Sequence, residues 1–453
     1  MKNMNLKIIA EKLEGQLYCS EAFLDKEIEG AVIDSRKVLK DYLFFAVKGK
    51  KVDGHDFIDK VFEMGALAVV SEKKLDIDKP YILVKSSLEA LKKLAAYYRS
   101  TLEIPVVGIT GSVGKTSTKE FIASVLSTKY KVLKTEGNFN NEIGLPLTIM
   151  NIRPEHQVAV IEMGISDFGE MTRLSKIARP DICVITNIGI CHLENLKDRD
   201  GVLKAKTEIF EYASKDCEIV LNGDDDKLIT VKEYKGKKVH YFGKSDNFEI
   251  YATDIKNNGI LGTNCNIHID EDVINVDIHI PGVHMVSNAL AAAKVGALLG
   301  LTPLEIKQGI EGLYNAAGRV NIIKKDYIII DDCYNANPIS MRASIDLLNT
   351  AIGRKIAVLG DMFELGKDEA KLHYEIGKYI ANTKVDNVFL SGALTKNILA
   401  GYTDEKQSSN NINWFENIDE LIYNLKQFVK PEDTILIKAS HSMHYENIVK
   451  ALS

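Results

Sequence analysis

The sequence predicts an α/β protein of three domains: a small N-terminal α/β domain, a central parallel-sheet domain with an antiparallel edge meander, and a C-terminal Rossmann-like domain. Three observations predict this. Apolar strands alternate with helical stretches over most of the 453 residues, a pattern that implies parallel sheets with helices on their faces. The run Val106-Val107-Gly108-Ile109-Thr110-Gly111-Ser112-Val113-Gly114-Lys115-Thr116-Ser117 passes from an apolar strand through a glycine-rich turn into a helix, the layout of a nucleotide phosphate-binding loop. Between Phe248 and Ile280 the texture changes to alternation around Asn257-Asn258-Gly259, a turn signal between antiparallel strands.

The elements follow in order. Residues 1–101 mix short strands (Gly30 to Ile33, Tyr42 to Val47, Ala66 to Val70, Tyr81 to Val84) with helical patterns such as Ser87 to Arg99. Residues 102–318 open with the strand Ile104 to Ile109. Phe121, Ile122, Val125 and Leu126 then recur at helical spacing after the loop. Strands follow at Val158 to Ile161, Ile182 to Thr186 and Glu218 to Leu221, then the meander, then an alanine-rich helix over Ser287 to Leu299. Residues 319–453 return to alternation, with strands at Tyr327 to Asp331, Lys355 to Gly360, Val385 to Ser391 and Thr434 to Ala439. This is a second doubly wound unit.

Composition narrows the class. A hydrophobic content of 45% with 26% charged residues is ordinary for a globular chain. A net charge of −6 and the lack of a Lys/Arg-dominated stretch argue against a nucleic-acid partner. Six scattered cysteines without a C-x-x-C pair argue against a disulfide framework or a thiolate zinc site. No apolar run reaches the ~18 residues of a membrane span. A cytoplasmic protein, neither secreted nor inserted in a membrane, is expected.

The chemistry begins at the loop. Its glycines let backbone N–H groups approach phosphates, Lys115 reaches the terminal phosphates, and the Thr116 hydroxyl is placed for Mg²⁺. One feature departs from the standard pattern: Ile109 stands where the first glycine belongs, and Gly108 lies one residue early. Glu162 ends an apolar strand, which puts a carboxylate at the edge of the sheet where the phosphates bind. His192 follows the strand Ile182 to Thr186. With Thr116 these supply oxygen and nitrogen ligands for one or two Mg²⁺ ions bridging phosphate oxygens. Taken singly, Glu162 reads as a solvated strand-end acid and His192 as an ordinary histidine. Their joint placement after sheet strands favours a site.

The loop Thr110-Gly111-Ser112-Val113-Gly114-Lys115-Thr116 resembles that of the Mur ligases, whose shorter loop accounts for the displaced glycine. The resemblance extends over nearly the whole chain. It includes Asp34-Ser35-Arg36-Lys37, Asp53-Gly54-His55, Glu136-Gly137-Asn138-Phe139-Asn140-Asn141-Glu142-Ile143-Gly144, Asp331-Asp332-Cys333-Tyr334-Asn335-Ala336-Asn337-Pro338 and Gly360-Asp361-Met362-Phe363-Glu364-Leu365-Gly366. The last two runs are the most specific, and they are similar to those of the family's D-alanyl-D-alanine-adding branch. The Asp-Asn-Pro-Arg sequence of the diamino acid-adding branch is lacking.

That resemblance implies ATP-dependent ligation through an acyl phosphate, with a UDP-N-acetylmuramoyl tripeptide and D-alanyl-D-alanine as substrates. It implies ATP contacts from Thr110 to Thr116, Asn288 at adenine, Arg319 entering from the domain junction and Asp332 on the ribose. It further implies that Lys206 is carbamylated by CO₂ and helps to hold a second Mg²⁺; by its residues alone Lys206 reads as a solvated helical lysine. Ser35, Arg36 and His55 are expected at the uridine diphosphate, Asn138, Asn140 and Asn141 at the muramoyl tripeptide, and Asn335 and Asn337 at the dipeptide. Lys115, Lys206, His192 and Arg319 form the expected catalytic set, in a monomer. Two positions depart from the pattern: Met285 replaces an asparagine, and His441 an arginine, which removes a permanent charge and a bidentate donor. A nucleotide-dependent switch is another reading, separable by amine-dependent phosphate release, and an idle binding module would lack the metal ligands. Among ligases of this type the rivals are a diamino acid-adding one and one that attaches glutamate to folate, which would need a pterin site in place of the nucleotide-sugar domain. Whether the tripeptide ends in lysine or diaminopimelate stays open.

Overall fold

The computed structural model describes residues 1, 3–49, 52–314 and 321–453. Three sheets organise it. The N-terminal sheet has five strands in the order Gln16–Tyr18, Tyr81–Leu83, Ala68–Ser71, Tyr42–Phe45, Gly30–Val32, parallel except for the first, which pairs antiparallel at the edge. Buried apolar residues on the helices Leu6–Leu13 and Ser87–Ser100 belong to the same core cluster as this sheet.

The central sheet explains where a ligand binds. Val106–Thr110 lies between Ile182–Ile185 and Val158–Glu162, all parallel. The chain therefore fills one side of its first strand, the edge strand Val132–Lys134 before the inner Val158–Glu162, and then crosses to the other. This topological switch point is where open α/β sheets leave a crevice at the carboxyl ends of their strands. All five residues of Val106–Thr110 are buried, as expected of a strand covered on both faces. The meander Ile250–Asn257, Thr263–Ile269, Asp272–Ile278 is antiparallel and extends the same sheet. It joins through Lys237–Gly243, a strand absent from the sequence reading. The helix Met285–Leu298 is buried on nearly every face, with Val286, Ala289, Leu290, Ala292, Ala293 and Val295 fully enclosed. Small side chains permit that close approach: a Cβ at Gly296 would sit 2.9 Å from Val125.

The C-terminal sheet runs Asn321–Lys324, Ile328–Asp331, Thr434–Lys438, Lys355–Leu359, Asn387–Ser391, Ile412–Phe415, parallel except at its first strand. It has its own apolar cores, and Ile260, at the tip of the central meander, packs against one of them. The N-terminal and central units are joined differently, by one continuous core. There Tyr98 Oη donates to the Ile152 carbonyl (2.7 Å) and Arg99 binds the carbonyls of Ala178, Leu102 and Arg179 and the Asp181 carboxylate. Among the described residues no helix is long and apolar enough to cross a membrane.

Candidate active site between the central and C-terminal domains

The phosphate loop takes its shape from glycine geometry and from a neighbouring segment. Gly111 has φ +152°, and a Cβ there would lie 1.9 Å from Thr186 Oγ1; Gly114 has φ +83°. Both are conformations that L side chains avoid. Helix Lys115–Leu126 follows with no side-chain cap at Gly114, so its N-terminus presents backbone N–H groups and partial positive charge. Asn187 holds the turn from outside. Its carbonyl accepts from Ser112 N (3.0 Å), its Oδ1 accepts from Val113 N (3.0 Å), and its Nδ2 donates to the Val113 carbonyl (2.8 Å). Thr186 Oγ1 donates to the same carbonyl (2.6 Å), and Gly189 N donates to Ser112 Oγ (2.8 Å). Lys115 Nζ folds back to the Gly111 carbonyl (2.7 Å).

Glu162 ends its strand opposite Ile109 and is 2% exposed. Its Oε1 accepts from Asn140 Nδ2 (2.8 Å) and its backbone N–H donates to Thr135 Oγ1 (2.9 Å), while Oε2 is buried with no hydrogen-bond partner. Buried carboxylate oxygens are ordinarily satisfied, so this oxygen is left able to accept from a further group. Lys206 is 1% exposed and makes no ion pair among the described residues. Burial first, and the charge of Lys115 second, lower its pKa to about 7. His192 Nδ1 lies 3.0 Å from Glu364 Oε2, a residue of the C-terminal domain.

Two cavities lie along the junction. The larger, about 170 Å³, is lined by Gly114, Ser117, Phe242, His284, Met285 and Asn288 from the central domain and by Asp332, Ser344 and Lys438 from the C-terminal one, among others. Asn288 Oδ1 accepts from Thr118 Oγ1 (2.9 Å), and its Nδ2 meets Met285 Sδ at 3.2 Å. Asp332 Oδ2 accepts from Lys438 Nζ (2.5 Å) and Ser344 Oγ (2.6 Å). The smaller cavity, about 100 Å³, brings Ser112, Lys115 and His192 together with Asn335, Asn337 and Glu364. Asn335 Oδ1 accepts from Ala336 N (2.9 Å). Asn337 caps helix Pro338–Asn349 in a reciprocal pair with Ser340. Tyr334 and His441 are in ring contact at 5.8 Å beside this region. Arg319 lies outside the described residues.

The expected nucleotide-sugar residues sit elsewhere. Ser35 is buried in the turn Ser35–Lys37. Arg36 is exposed and grips Asp34 through Nε (2.9 Å) and Nη2 (2.8 Å), and that hydrogen bonding takes the Asp34 pKa down to about 2. Both ring nitrogens of His55 are engaged: Nδ1 with Asp53 Oδ1 (2.6 Å), and Nε2, which accepts from Glu72 N (3.1 Å). The imidazole therefore braces its loop. Asn138 is exposed, and Asn141 Oδ1 accepts from Ile143 N and Gly144 N at the start of helix Gly144–Met150. Lys37 Nζ lies 5.4 Å from the Phe139 ring, so the Ser35–Lys37 turn and the asparagine-rich loop face one another. None of these residues lines the junction cavities. Asn187 and Glu364 were not among the sequence candidates. Asn187 has a faint signal, its position just after the strand neighbouring the loop; Glu364 has only its motif.

Comparison with known proteins agrees with this layout. Residues 27–106 match the model described as Mur ligase family, catalytic domain; 109–296 match Mur ligase middle domain; 318–441 match Mur ligase, glutamate ligase domain. The UDP-N-acetylmuramoyl-tripeptide–D-alanyl-D-alanine ligase of Bacillus subtilis (strain 168) is 38% identical over 100% of this chain and 99% of its own length. The enzyme of that name from Escherichia coli (strain K12) is 33% identical over the same shares. Among solved structures, a crystal structure of MurF from Acinetobacter baumannii superposes with a TM-score of 0.90 at 30% identity, covering 99% of this chain and 98% of that one. MurF from Thermotoga maritima in complex with ADP superposes at 0.81 and 31%, covering 93% and 96%.

Proposed function

This chain belongs to the Mur ligase family, and from that premise we propose that it is an ATP-dependent ligase joining D-alanyl-D-alanine to a UDP-N-acetylmuramoyl tripeptide. The observation that carries the reading is the smaller junction cavity, where Lys115 and the phosphate loop share one space with Asn335 and Asn337. The γ-phosphoryl of ATP passes to the tripeptide's terminal carboxylate and ADP leaves. The dipeptide amine then attacks the acyl carbon, phosphate departs, and an amide remains.

Each step brings anions together, so the task is electrostatic and positional. Lys115 and the uncapped helix N-terminus offset the phosphate charge. Asn335 and Asn337 hold the dipeptide, since amides both donate and accept. Asn288 and Asp332 line the larger cavity, where the nucleoside is placed, and Arg319 is assigned to the same nucleotide. Ser35, Arg36, His55, Asn138, Asn140 and Asn141 form the nucleotide-sugar and peptide side, with His55 acting through the loop it braces. Domains are assigned accordingly: 1–101 to the UDP-sugar, 102–318 to ATP, 319–453 to the dipeptide.

The donor set fits a hard cation. Thr116, Glu162 with its unpartnered Oε2, His192 and carbamylated Lys206 are the groups that would hold Mg²⁺. When bound, Mg²⁺ supplies positive charge to the phosphate oxygens. A lysine whose pKa is about 7 is about half free amine at neutral pH, the form that adds CO₂: an N–C bond forms, one proton is released, and a neutral amine becomes an anion. We place this enzyme in the cytoplasm, as a monomer.

The test is phosphate release with ATP, each candidate UDP-muramoyl tripeptide, and D-alanyl-D-alanine. Release that requires all three, with a pentapeptide product by mass, is expected. ATP turnover indifferent to the amine would sink the ligase reading and favour a nucleotide-dependent switch.

A further inference from the structure

The loop Gly360–Gly366 is held with more contacts than a connection needs. The buried Asp361 carboxylate accepts from Leu394 N (3.0 Å) and Thr395 N (2.9 Å) at the start of helix Thr395–Lys406. Met362 N donates to His373 Nε2 (2.9 Å), Phe363 N donates to Ser440 Oγ (2.9 Å), and Ser440 N donates to the Asp361 carbonyl (3.0 Å). These bonds fix three successive residues. The fourth, Glu364, has φ +63°, a left-handed conformation that is uncommon for a residue with a side chain and carries a conformational cost.

That conformation aims a carboxylate across the domain junction. Glu364 Oε2 reaches 3.0 Å from His192 Nδ1 although 67% of the side chain is exposed. Two residues on, Gly366 is also left-handed, and a Cβ there would lie 3.6 Å from the backbone nitrogen of Glu194. The motif loop is thus seated on the segment that begins at His192. A carboxylate only accepts hydrogen bonds, so the shared proton sits on Nδ1, and in the neutral ring the lone pair is left on Nε2. Histidines that bind metals regularly donate their other ring N–H to a carboxylate, which sets tautomer and ring orientation.

We propose that Glu364 is a positioning residue that holds His192 in the Nδ1–H tautomer for a divalent cation, so that the cation's site is complete only when the C-terminal domain is seated on the central one. The inference rests on the reading of His192 as a metal ligand. It makes cation affinity a property of domain closure, supplied by a residue that never touches the cation.

Mn²⁺ is the probe, titrated by electron paramagnetic resonance against the full chain with ADP. Glu364→Ala is expected to weaken Mn²⁺ binding about tenfold or more with an unchanged melting temperature, because the side chain is exposed. Glu364→Gln, whose amide oxygen still accepts from Nδ1–H, should recover most of that loss. His192→Ala is run beside them. If His192→Ala weakens Mn²⁺ binding and Glu364→Ala does not, the positioning role is overturned and the metal reading stands. If His192→Ala also leaves Mn²⁺ affinity intact, both fall. A Glu364→Ala protein with normal Mn²⁺ affinity and a raised KM for D-alanyl-D-alanine alone would overturn the proposal by placing Glu364 on the dipeptide's ammonium.

Discussion

Lys206 in the central domain and Lys438 in the C-terminal domain are both almost wholly buried, yet their surroundings differ. Lys438 Nζ is 2.5 Å from Asp332 Oδ2 and also donates to the Asn335 carbonyl (3.1 Å). Lys206 has no ion pair among the described residues and has Lys115 as a like-charged neighbour. A buried cation with a carboxylate partner is a structural joint, and here it ties the strand Thr434–Lys438 to the Asp332 to Asn335 segment. A buried cation without one is pushed toward its neutral form, which makes it a nucleophile. The comparison separates the lysine that holds the site together from the lysine that is available for chemistry.

Removing the partner of Lys438 is the most severe way to break that distinction. Asp332→Ala leaves an uncompensated buried charge and should cost about 3 to 5 kcal/mol, read as a drop in the urea midpoint with an unchanged slope. Lys206→Met is the opposite experiment. It should abolish ligation while leaving stability at neutral pH equal or higher, since no partner is orphaned. The pH dependence sharpens this. The folded pKa of Lys206, about 7, lies below the unfolded value of about 10.4, so between those values the unfolded chain binds more protons. Stability in CO₂-depleted buffer should therefore rise with pH through that window, and the rise should flatten in Lys206→Met.

Activity probes come next. Lys115→Ala removes the charge offered to the phosphates and should lower turnover about 10²- to 10³-fold with an unchanged melting temperature. A folded Lys115→Ala protein that ligates normally would remove the loop from the mechanism. For Lys206→Ala, short carboxylates such as acetate should restore part of the activity by returning the missing anion. Lys206→Arg, which keeps a cation and forms no carbamate, should stay inactive. If Lys206→Arg matches the parent in CO₂-depleted buffer, the carbamate is wrong.

The smallest effects lie beside Lys438. Loss of the Asn335 or Asn337 amide should raise the KM for D-alanyl-D-alanine more than that for ATP, by about 1 to 3 kcal/mol in binding. Asn337→Ala also removes a helix cap, worth about 1 kcal/mol of stability. Asn337→Ser keeps a capping oxygen and isolates the contact to the dipeptide. Equal weakening toward ATP would move these amides to the nucleotide.

Much of this molecule was legible in the chain. The strands Val106–Thr110, Val158–Glu162 and Ile182–Ile185 are apolar runs, and the turn Asn257-Asn258-Gly259 does join two meander strands. The strands that escaped notice are edges or have polar faces. Gln16–Tyr18 is short and half exposed, Asn321–Lys324 lies at the sheet edge, and Lys237–Gly243 opens on two lysines. Their pairing comes from neighbouring strands, which no local pattern announces. The position of Glu162 at the carboxyl edge of the central sheet was legible because it ends an apolar strand. Asn187 was not, because an asparagine after a strand is ordinary until its amide is seen gripping Val113.

Local conformation follows from the chain alone, because it depends on neighbouring residues: only glycine suits φ +152° at position 111 and φ +83° at 114, so strand, turn and helix follow in order. Reactivity does not. Lys204 and Lys206 stand two apart on one helix, and a helix turns about 200° over two residues, so Lys204 faces water while Lys206 faces the interior. Nothing in Lys204-Ala205-Lys206 says which is which. Dielectric, the nearness of Lys115 and the carboxylate that Glu364 brings to His192 are properties of space, set by three sheets packed together, and only the tertiary structure decides them.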